Sequence, residues 1–241
     1  MITDPLALLS EVEQATARLL HTARQLSDAD IAAPSALPNW TIGHVLTHVA
    51  RSGDGHRNLL YWAATGIETP PYPSWEARAA GIEAGAGRPA AEQVADLEQS
   101  AAAFAAAARE LKPEAWSVIV RWRERDRPAI EVIWSRLREV EVHHVDLGLA
   151  YRPADWPDSF SHRLLHEVCD DLSRTEVASP FVVHATDLGH ELTVGDPTGR
   201  SGIPTVSGPA YLLAAWLTGR ADGAGLQVEP EGPLPTVPDW L

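Results

Sequence analysis

The segment Trp40-Thr41-Ile42-Gly43-His44-Val45-Leu46-Thr47-His48-Val49-Ala50 begins the helix on which the predicted fold depends. Its apolar side chains recur at intervals of three and four residues, which is the period of one helix face. The pattern continues to about Thr65, and Gly66 then provides a stop signal. His44 and His48 lie four residues apart and therefore share one side of the helix. The segment predicts a long amphipathic helix that carries two histidines.

Three other stretches show the same helical period, so the sequence contains four long predicted helices. They cover residues 5–26, 41–65, 90–111 and 129–149. The connections at residues 32–39 and 68–75 are rich in proline, which interrupts helices. Residues 116–123 alternate in polarity, so we expect a short strand or a hairpin that turns at residues 125–127. Four long helices with moderate connections predict a helical bundle.

The pattern changes after Pro153, where a proline-containing linker begins. Helices are predicted at residues 159–174 and 208–219, and short strands at residues 181–186, 191–194 and 226–229. We therefore predict an α+β protein of two domains. An N-terminal four-helix bundle occupies residues 1–153, and a small C-terminal α+β domain occupies residues 154–241.

Charge and composition exclude several classes of partner. The formal net charge of −14 argues against nucleic acid or an anionic membrane surface. No apolar run reaches the roughly 18 residues that a membrane-spanning helix needs. The start, Met1-Ile2-Thr3-Asp4-Pro5, lacks the basic and apolar parts of a secretory signal. The single cysteine, Cys169, excludes an internal disulfide, and its apolar helix face favours a buried, inert thiol. We expect a soluble cytoplasmic protein.

Glu139 and His143 are candidate metal ligands, because they lie four residues apart on the last bundle helix and point to one side. One imidazole from the second helix, either His44 or His48, would complete a set of two nitrogens and one oxygen. Such a set with an open position is typical of catalytic zinc sites and of some iron(II) sites. A glutamate and a histidine at this spacing also occur by chance as a solvated pair, so the spacing leaves both interpretations open.

Four neighbouring residues have competing interpretations. His144 falls on the apolar stripe of its helix, which favours a hydrogen-bonded core histidine. Asp146 would either orient a liganding imidazole or stay solvated near the helix end. Gly53 and Gly55 interrupt a helical run, and a local distortion is favoured over space for a ligand near His48.

Four motifs in order along the chain resemble the mycothiol-dependent maleylpyruvate isomerase family, within the wider DinB-like superfamily. The first is the segment of residues 40–50. The second is Asn58 with Trp62, followed by residues 65–70. The third lies within residues 135–147, and the fourth covers residues 207–220 with the closing residues 238–241. The resemblance extends over nearly the whole chain, and four ordered motifs are more specific than any one alone.

The resemblance implies a DinB-type four-helix bundle that holds a divalent metal, zinc by preference, through His48, Glu139 and His143. It also implies that Arg220 of the C-terminal domain serves activity, together with His48. Taken alone, Arg220 follows a predicted helix, where an arginine also suits the helix dipole. The cofactor implied besides the metal is mycothiol, a low-molecular-weight thiol.

The implied activity is the cis–trans isomerisation of maleylpyruvate to fumarylpyruvate. A metal-activated thiolate would add to the double bond, the resulting single bond would rotate, and elimination of the thiolate would give the trans product. The chain departs from the family pattern at Gly53, Gly55, Glu141 and His144. These departures concern the pocket shape, so they leave the carboxylate or electrophile substrate open.

Two alternatives would use the same site. One is a mycothiol S-transferase that conjugates an electrophilic metabolite and keeps the thiol attached. The other is a non-catalytic DinB-like metal-binding protein, in which His44 or Asp146 would be a fourth ligand.

Overall fold

The computed structural model describes residues 4–122, 125–174 and 179–240. In these ranges the chain forms eight α-helices and two small β-sheets, so the predicted α+β class is confirmed. The chain divides into two compact units, residues 1–149 and residues 150–241. No helix in the described ranges has the length and apolar character needed to cross a lipid bilayer.

Four long helices form the body of the first unit. Its helices are α1 (Pro5–Ala23), α2 (Asp28–Ile31), α3 (Ile42–Thr65), α4 (Trp75–Ala86), α5 (Ala90–Glu110) and α6 (Ile130–Asp146). Helix α3 packs against α4, α5 and α6, and α1 packs against α5 and α6. Leu19, Val45, Leu97 and Ile133, one from each long helix, are buried between them. The apolar faces of these four helices thus meet in one core.

Local sequence signals set the ends of α3, the helix that carries His48. The Thr41 hydroxyl accepts a hydrogen bond from the His44 backbone N–H, and the His44 ring accepts one from the Thr41 N–H. This reciprocal cap satisfies two donors that a helix start leaves without a helical partner. Gly66 ends the helix at φ 72°, a left-handed conformation that glycine adopts without a steric penalty.

Helix α3 runs unbroken through Gly53 and Gly55, so the local distortion expected there is wrong. Both glycines lie where another element approaches closely. A Cβ at Gly53 would lie 2.3 Å from Ser100 Oγ on α5, and a Cβ at Gly55 would lie 3.2 Å from Pro71 Cβ. The small residues therefore allow α5 and the loop before α4 to pack against α3.

Helix α4 is an element that the helical period does not predict. It begins at Trp75, directly after Ser74, whose hydroxyl accepts a hydrogen bond from the Ala77 N–H. Alanine and glycine fill most of the helix, so its apolar residues form no continuous face. The predicted connection of residues 68–75 is thus followed by a helix that brings new side chains to α3.

The segment after α5 forms a 3-10 helix (Pro113–Ser117) and then a hairpin of β1 (Ile119–Trp122) and β2 (Arg125–Pro128). Ile119 pairs with Pro128, and Trp122 pairs with Arg125. Of the two alternatives for this segment, the hairpin is confirmed, but the predicted turn at residues 125–127 is wrong because these residues belong to β2. Arg123, where the predicted strand ended, lies outside the described residues.

The second unit combines two helices with a four-stranded sheet. Its elements are a 3-10 helix (Pro153–Asp155), α7 (Asp158–Arg174), β3 (Phe181–Ala185), β4 (His190–Val194), β5 (Thr205–Gly208), α8 (Ala210–Leu217) and β6 (Gln227–Glu229). The strand order is β4-β3-β5-β6, with β3 and β5 parallel and the other neighbours antiparallel.

The predicted helix start at Gly208 is wrong, because Gly208 ends β5 and Pro209 precedes α8. Strand β5 is not predicted by the sequence pattern. Residues 1–3, part of the start used to exclude a secretory signal, and Leu241, part of the closing motif, lie outside the described residues.

Candidate metal centre

Three side chains from α3 and α6 converge in the first unit. His48 Nε2 lies 3.0 Å from His143 Nε2 and 3.1 Å from Glu139 Oε2. His143 Nε2 lies 3.6 Å from the same carboxylate oxygen. Each residue offers one potential metal-ligand atom, and these atoms all lie within 4.8 Å of one another. The packing of α3 against α6 thus brings the three predicted ligands together.

The protonation states of His48 and Glu139 suit a divalent cation. Burial lowers the pKa of His48 to about 4, and the charge of His143 acts in the same direction. Burial alone would raise the pKa of Glu139. The hydrogen bond from His48, with the positive charges that His48, His143 and His56 carry when they are protonated, outweighs burial and holds that pKa well below its usual range. A neutral imidazole and an ionised carboxylate are the forms that bind a metal.

Polar side chains beside the three residues restrict their orientation. Ser52, one turn after His48 on α3, donates from Oγ to Glu139 Oε2 at 3.1 Å. On α6, Asp146 Oδ2 lies 2.8 Å from His143 Nδ1, and Asp146 is 2% exposed. A carboxylate at this nitrogen favours the tautomer in which Nε2 is free to bind a metal. Of the two interpretations of Asp146, its buried position favours the orienting role.

The other two histidines considered from the sequence contact different groups. His44 Nδ1 accepts from the Thr41 N–H, and its Nε2 lies 3.2 Å from Glu83 Oε2. His144 is buried, and its Nε2 lies 2.8 Å from Thr22 Oγ1. The core position predicted for His144 is confirmed. Neither histidine belongs to the three-residue group.

Three further residues lie close to the site, and none of them is among the site residues predicted from the sequence. His56 is hydrogen-bonded at Nδ1 to the Ser52 carbonyl oxygen at 2.6 Å, and burial lowers its pKa to about 4. Arg78 on α4 donates from Nη2 to His48 Nδ1 at 3.1 Å. Burial and the nearby site carboxylate raise the pKa of Tyr72 to about 12. His56 could be found from the sequence, because His48, Ser52 and His56 are spaced four residues apart on one helix face. Arg78 could not, because its position depends on α4, which the helical period does not predict.

Arg220, implied by the resemblance to serve activity, belongs to the second unit. It follows Gly219 after α8, is partly buried, and donates from Nη1 to the Thr218 carbonyl oxygen at 2.6 Å. Cys169 on α7 is buried, and burial raises its pKa to about 12. A thiol of this kind stays protonated at neutral pH, which agrees with the inert role predicted for it.

These features define a class of protein: an α+β chain in which two histidines and one glutamate from two packed helices form a potential metal site. The family model of the mycothiol maleylpyruvate isomerase N-terminal domain matches residues 12–148, which is more than half of the chain. The chain belongs to this family.

Two solved structures share the fold over nearly the full length. A crystal structure of the mycothiol-dependent maleylpyruvate isomerase matches with a TM-score of 0.91 and 28% sequence identity, covering 98% of this chain and 97% of that chain. A crystal structure of a histidine-to-alanine mutant of the mycothiol-dependent maleylpyruvate isomerase matches with a TM-score of 0.90, at the same identity and coverage. No functionally curated protein matches the sequence. The α+β fold of this chain is therefore that of the isomerase.

Proposed function

We propose that this protein is a mycothiol-dependent cis–trans isomerase that converts maleylpyruvate to fumarylpyruvate. The observation that carries the proposal is the convergence of His48, Glu139 and His143 in a chain whose fold matches the isomerase over 98% of its length. We propose also that the helices of the first unit form a DinB-type four-helix bundle. The bundle and the smaller α+β region are proposed to be separate domains, with their boundary in the sequence near residue 153.

Zinc, or another divalent metal, is the ion that these three side chains would hold. Two imidazole nitrogens and one carboxylate oxygen are a typical zinc ligand set. Ionised Glu139 supplies negative charge, and the Asp146 carboxylate holds His143 with Nε2 turned to the other two ligands. When bound, the metal would act as a Lewis acid that promotes loss of the mycothiol thiol proton, so that the thiolate can add to the substrate double bond and later leave it.

The number of protein ligands favours an enzyme over a non-catalytic metal-binding protein. In the ranges that the structure describes, the group contains three ligand-type side chains. His44 contacts Thr41 and Glu83, and Asp146 contacts the His143 ring. Neither therefore closes the site as a fourth ligand, and three protein ligands with an open position are typical of catalytic metal sites.

Arg220 is proposed to stabilise negative charge on the substrate. Maleylpyruvate carries two carboxylates, whereas the protein has a net charge of −14. Binding such a substrate needs local positive charge that offsets the repulsion between the anionic substrate and the negatively charged protein. A guanidinium can supply this charge and hydrogen-bond a carboxylate oxygen at the same time.

Metal analysis combined with an ultraviolet assay tests the proposed function. The protein should bind a divalent metal and convert maleylpyruvate when mycothiol is present, but not without it. His48→Ala should lose both metal and activity, whereas His21→Ala, which changes an exposed histidine of α1, should keep both. A fully active His48→Ala variant would contradict the site assignment. A stable thiol adduct in mass spectra, without fumarylpyruvate, would instead identify an S-transferase.

A further inference from the structure

The guanidinium of Arg78 lies beside the ligand group, next to His48 and two aromatic rings. Its Nη2 lies 3.1 Å from His48 Nδ1, and its central carbon lies 5.8 Å and 5.9 Å from the ring centres of Tyr72 and Trp75. In the described part of the chain, no carboxylate lies within ion-pair distance of Arg78. A partly buried cation normally pairs with an anion, because removing a lone charge from water is unfavourable. The position of Arg78 therefore suits an anion that comes from outside the chain.

The contact between Arg78 and His48 is incompatible with metal binding through His48 Nε2. A guanidinium only donates hydrogen bonds, so Nδ1 of His48 is the acceptor. A neutral imidazole that accepts at Nδ1 carries its proton on Nε2, the atom that faces Glu139 and His143. Metal binding through Nε2 requires the proton on Nδ1, where it would point at the Arg78 guanidinium, which is also a hydrogen-bond donor. His143 differs, because its Nδ1 faces the carboxylate of Asp146.

Metal binding by His48 would therefore break the Arg78 contact and would free a guanidinium donor next to the ligand group. Tyr72 and Trp75, over whose rings the guanidinium lies, also line a cavity of about 200 Å³ together with Glu68, Arg121 and Trp122. We propose that Arg78 binds a carboxylate of the substrate, so that this guanidinium holds a cis-enoyl dicarboxylate close to the metal site. A planar guanidinium can form two parallel hydrogen bonds to one carboxylate. The inference rests on the proposed isomerase function and adds a substrate-binding residue to it.

Arg78→Gln tests the inference, with Arg57→Gln as the matched control because Arg57 is an exposed arginine of α3. Calorimetry measures the binding of maleate, a cis-dicarboxylate, to the zinc-loaded protein without mycothiol. Competition with a chromophoric chelator measures zinc affinity. Arg78→Gln should bind maleate at least about 10-fold more weakly, because a charge-assisted hydrogen-bonded pair is lost. Its zinc affinity should be unchanged or higher, because the donor that opposes the metal-binding tautomer of His48 is gone.

Three further readouts sharpen the comparison. Arg57→Gln should match the wild type in maleate and zinc affinity. In the isomerase assay, Arg78→Gln should raise KM for maleylpyruvate by about 10-fold and leave KM for mycothiol unchanged. Arg78→Lys keeps the charge without the planar fork, so its maleate affinity should lie between those of the wild type and Arg78→Gln.

The inference and the proposed function fail through different results. Wild-type maleate affinity or a loss of zinc in Arg78→Gln would overturn the inference, as would absence of maleate binding by the wild type. If the zinc-loaded protein binds maleate through Arg78 but does not isomerise maleylpyruvate, the Arg78 inference stands and the isomerase assignment is wrong. If the protein isomerises maleylpyruvate and Arg78→Gln has an unchanged KM for it, the inference is wrong and the assignment stands.

Discussion

Asp146 Oδ2 lies 2.8 Å from Nδ1 of His143, and the carboxylate is almost completely buried beside this proposed metal ligand. The contact favours the tautomer in which Nε2 of His143, 3.0 Å from His48 Nε2, is free to bind a metal. We expect Asp146→Asn to weaken zinc binding by roughly 10- to 100-fold, because the amide keeps the size but loses the charge that fixes the tautomer. Competition with a chromophoric chelator measures this change.

Asp126→Asn is the control for this prediction. Asp126 is exposed and pairs with Arg121 across the β1–β2 hairpin. Its replacement should leave zinc affinity at the wild-type value. Wild-type zinc affinity in Asp146→Asn would remove Asp146 from the metal site and leave it a purely structural role.

The long helices were predictable because their signals are local. The helical period predicts a helix at residues 41–65, and α3 runs from Ile42 to Thr65 with its ends set by Thr41 and Gly66. Helix α4 has a local start signal in Ser74, but its small residues give it no apolar face. The periodicity that identifies an amphipathic helix is absent from it, so its existence depends on packing against α3.

The site was predictable to the extent that one helix determines it. The spacing of Glu139 and His143 places both side chains on one face of α6, whereas His44 and His48 are equivalent by spacing alone. Contacts between segments that are far apart in the sequence distinguish the roles of these two histidines. His44 reaches Glu83, and His48 reaches the two residues of α6. No local pattern contains such contacts, and the resemblance to the family was needed to select His48.

Gly53→Ala should destabilise the protein, although alanine ordinarily stabilises a helix interior by about 1 kcal/mol relative to glycine. The new Cβ would lie 2.3 Å from Ser100 Oγ, which a 2.6 Å hydrogen bond to the Ala50 carbonyl oxygen holds in place. We expect a net loss of about 1–3 kcal/mol in the free energy of unfolding, measured with urea. Adding Ser100→Ala removes the clashing oxygen and should recover most of the loss.

Gly81→Ala provides the matched comparison for Gly53→Ala. Gly81 also lies within a helix, α4, but a Cβ there would meet nothing within 4 Å. This variant should gain up to about 1 kcal/mol of stability. Equal stability of Gly53→Ala and Gly81→Ala would show that α5 does not restrict the size of residue 53.

The metal-free protein should lose stability as the pH falls from 6.5 towards 4. Burial depresses the pKa of both His48 and His56 to about 4 from the ordinary 6.5. In this window the unfolded chain binds protons that the folded chain does not, so protonation favours unfolding. Each histidine contributes up to about 1.4 kcal/mol per pH unit. The free energy of urea unfolding, measured at several pH values across this window, checks the slope.

His56→Leu removes one of the two titrating groups, so the loss of stability above about pH 5 should become shallower by roughly half. His21→Leu should leave the slope unchanged, because His21 is exposed on α1. The comparison concerns the slope rather than the absolute stability, which the loss of the His56 hydrogen bond to Ser135 also changes. An unchanged slope in His56→Leu would contradict the burial of a neutral imidazole at this position.

Arg220→Ala should reduce catalysis without releasing the metal. A cation that stabilises negative charge during the reaction typically contributes about 10²- to 10³-fold, so kcat/KM for maleylpyruvate should fall by that factor. Zinc affinity should stay at the wild-type value, because the three proposed ligands belong to α3 and α6. The backbone N–H of Arg220 donates to the Ala215 carbonyl oxygen independently of the side chain, so the turn after α8 keeps this hydrogen bond in the variant. Arg200→Ala, which changes an exposed arginine of the same unit, should keep wild-type kinetics. A folded, zinc-binding Arg220→Ala variant with wild-type kcat/KM would exclude this arginine from the reaction.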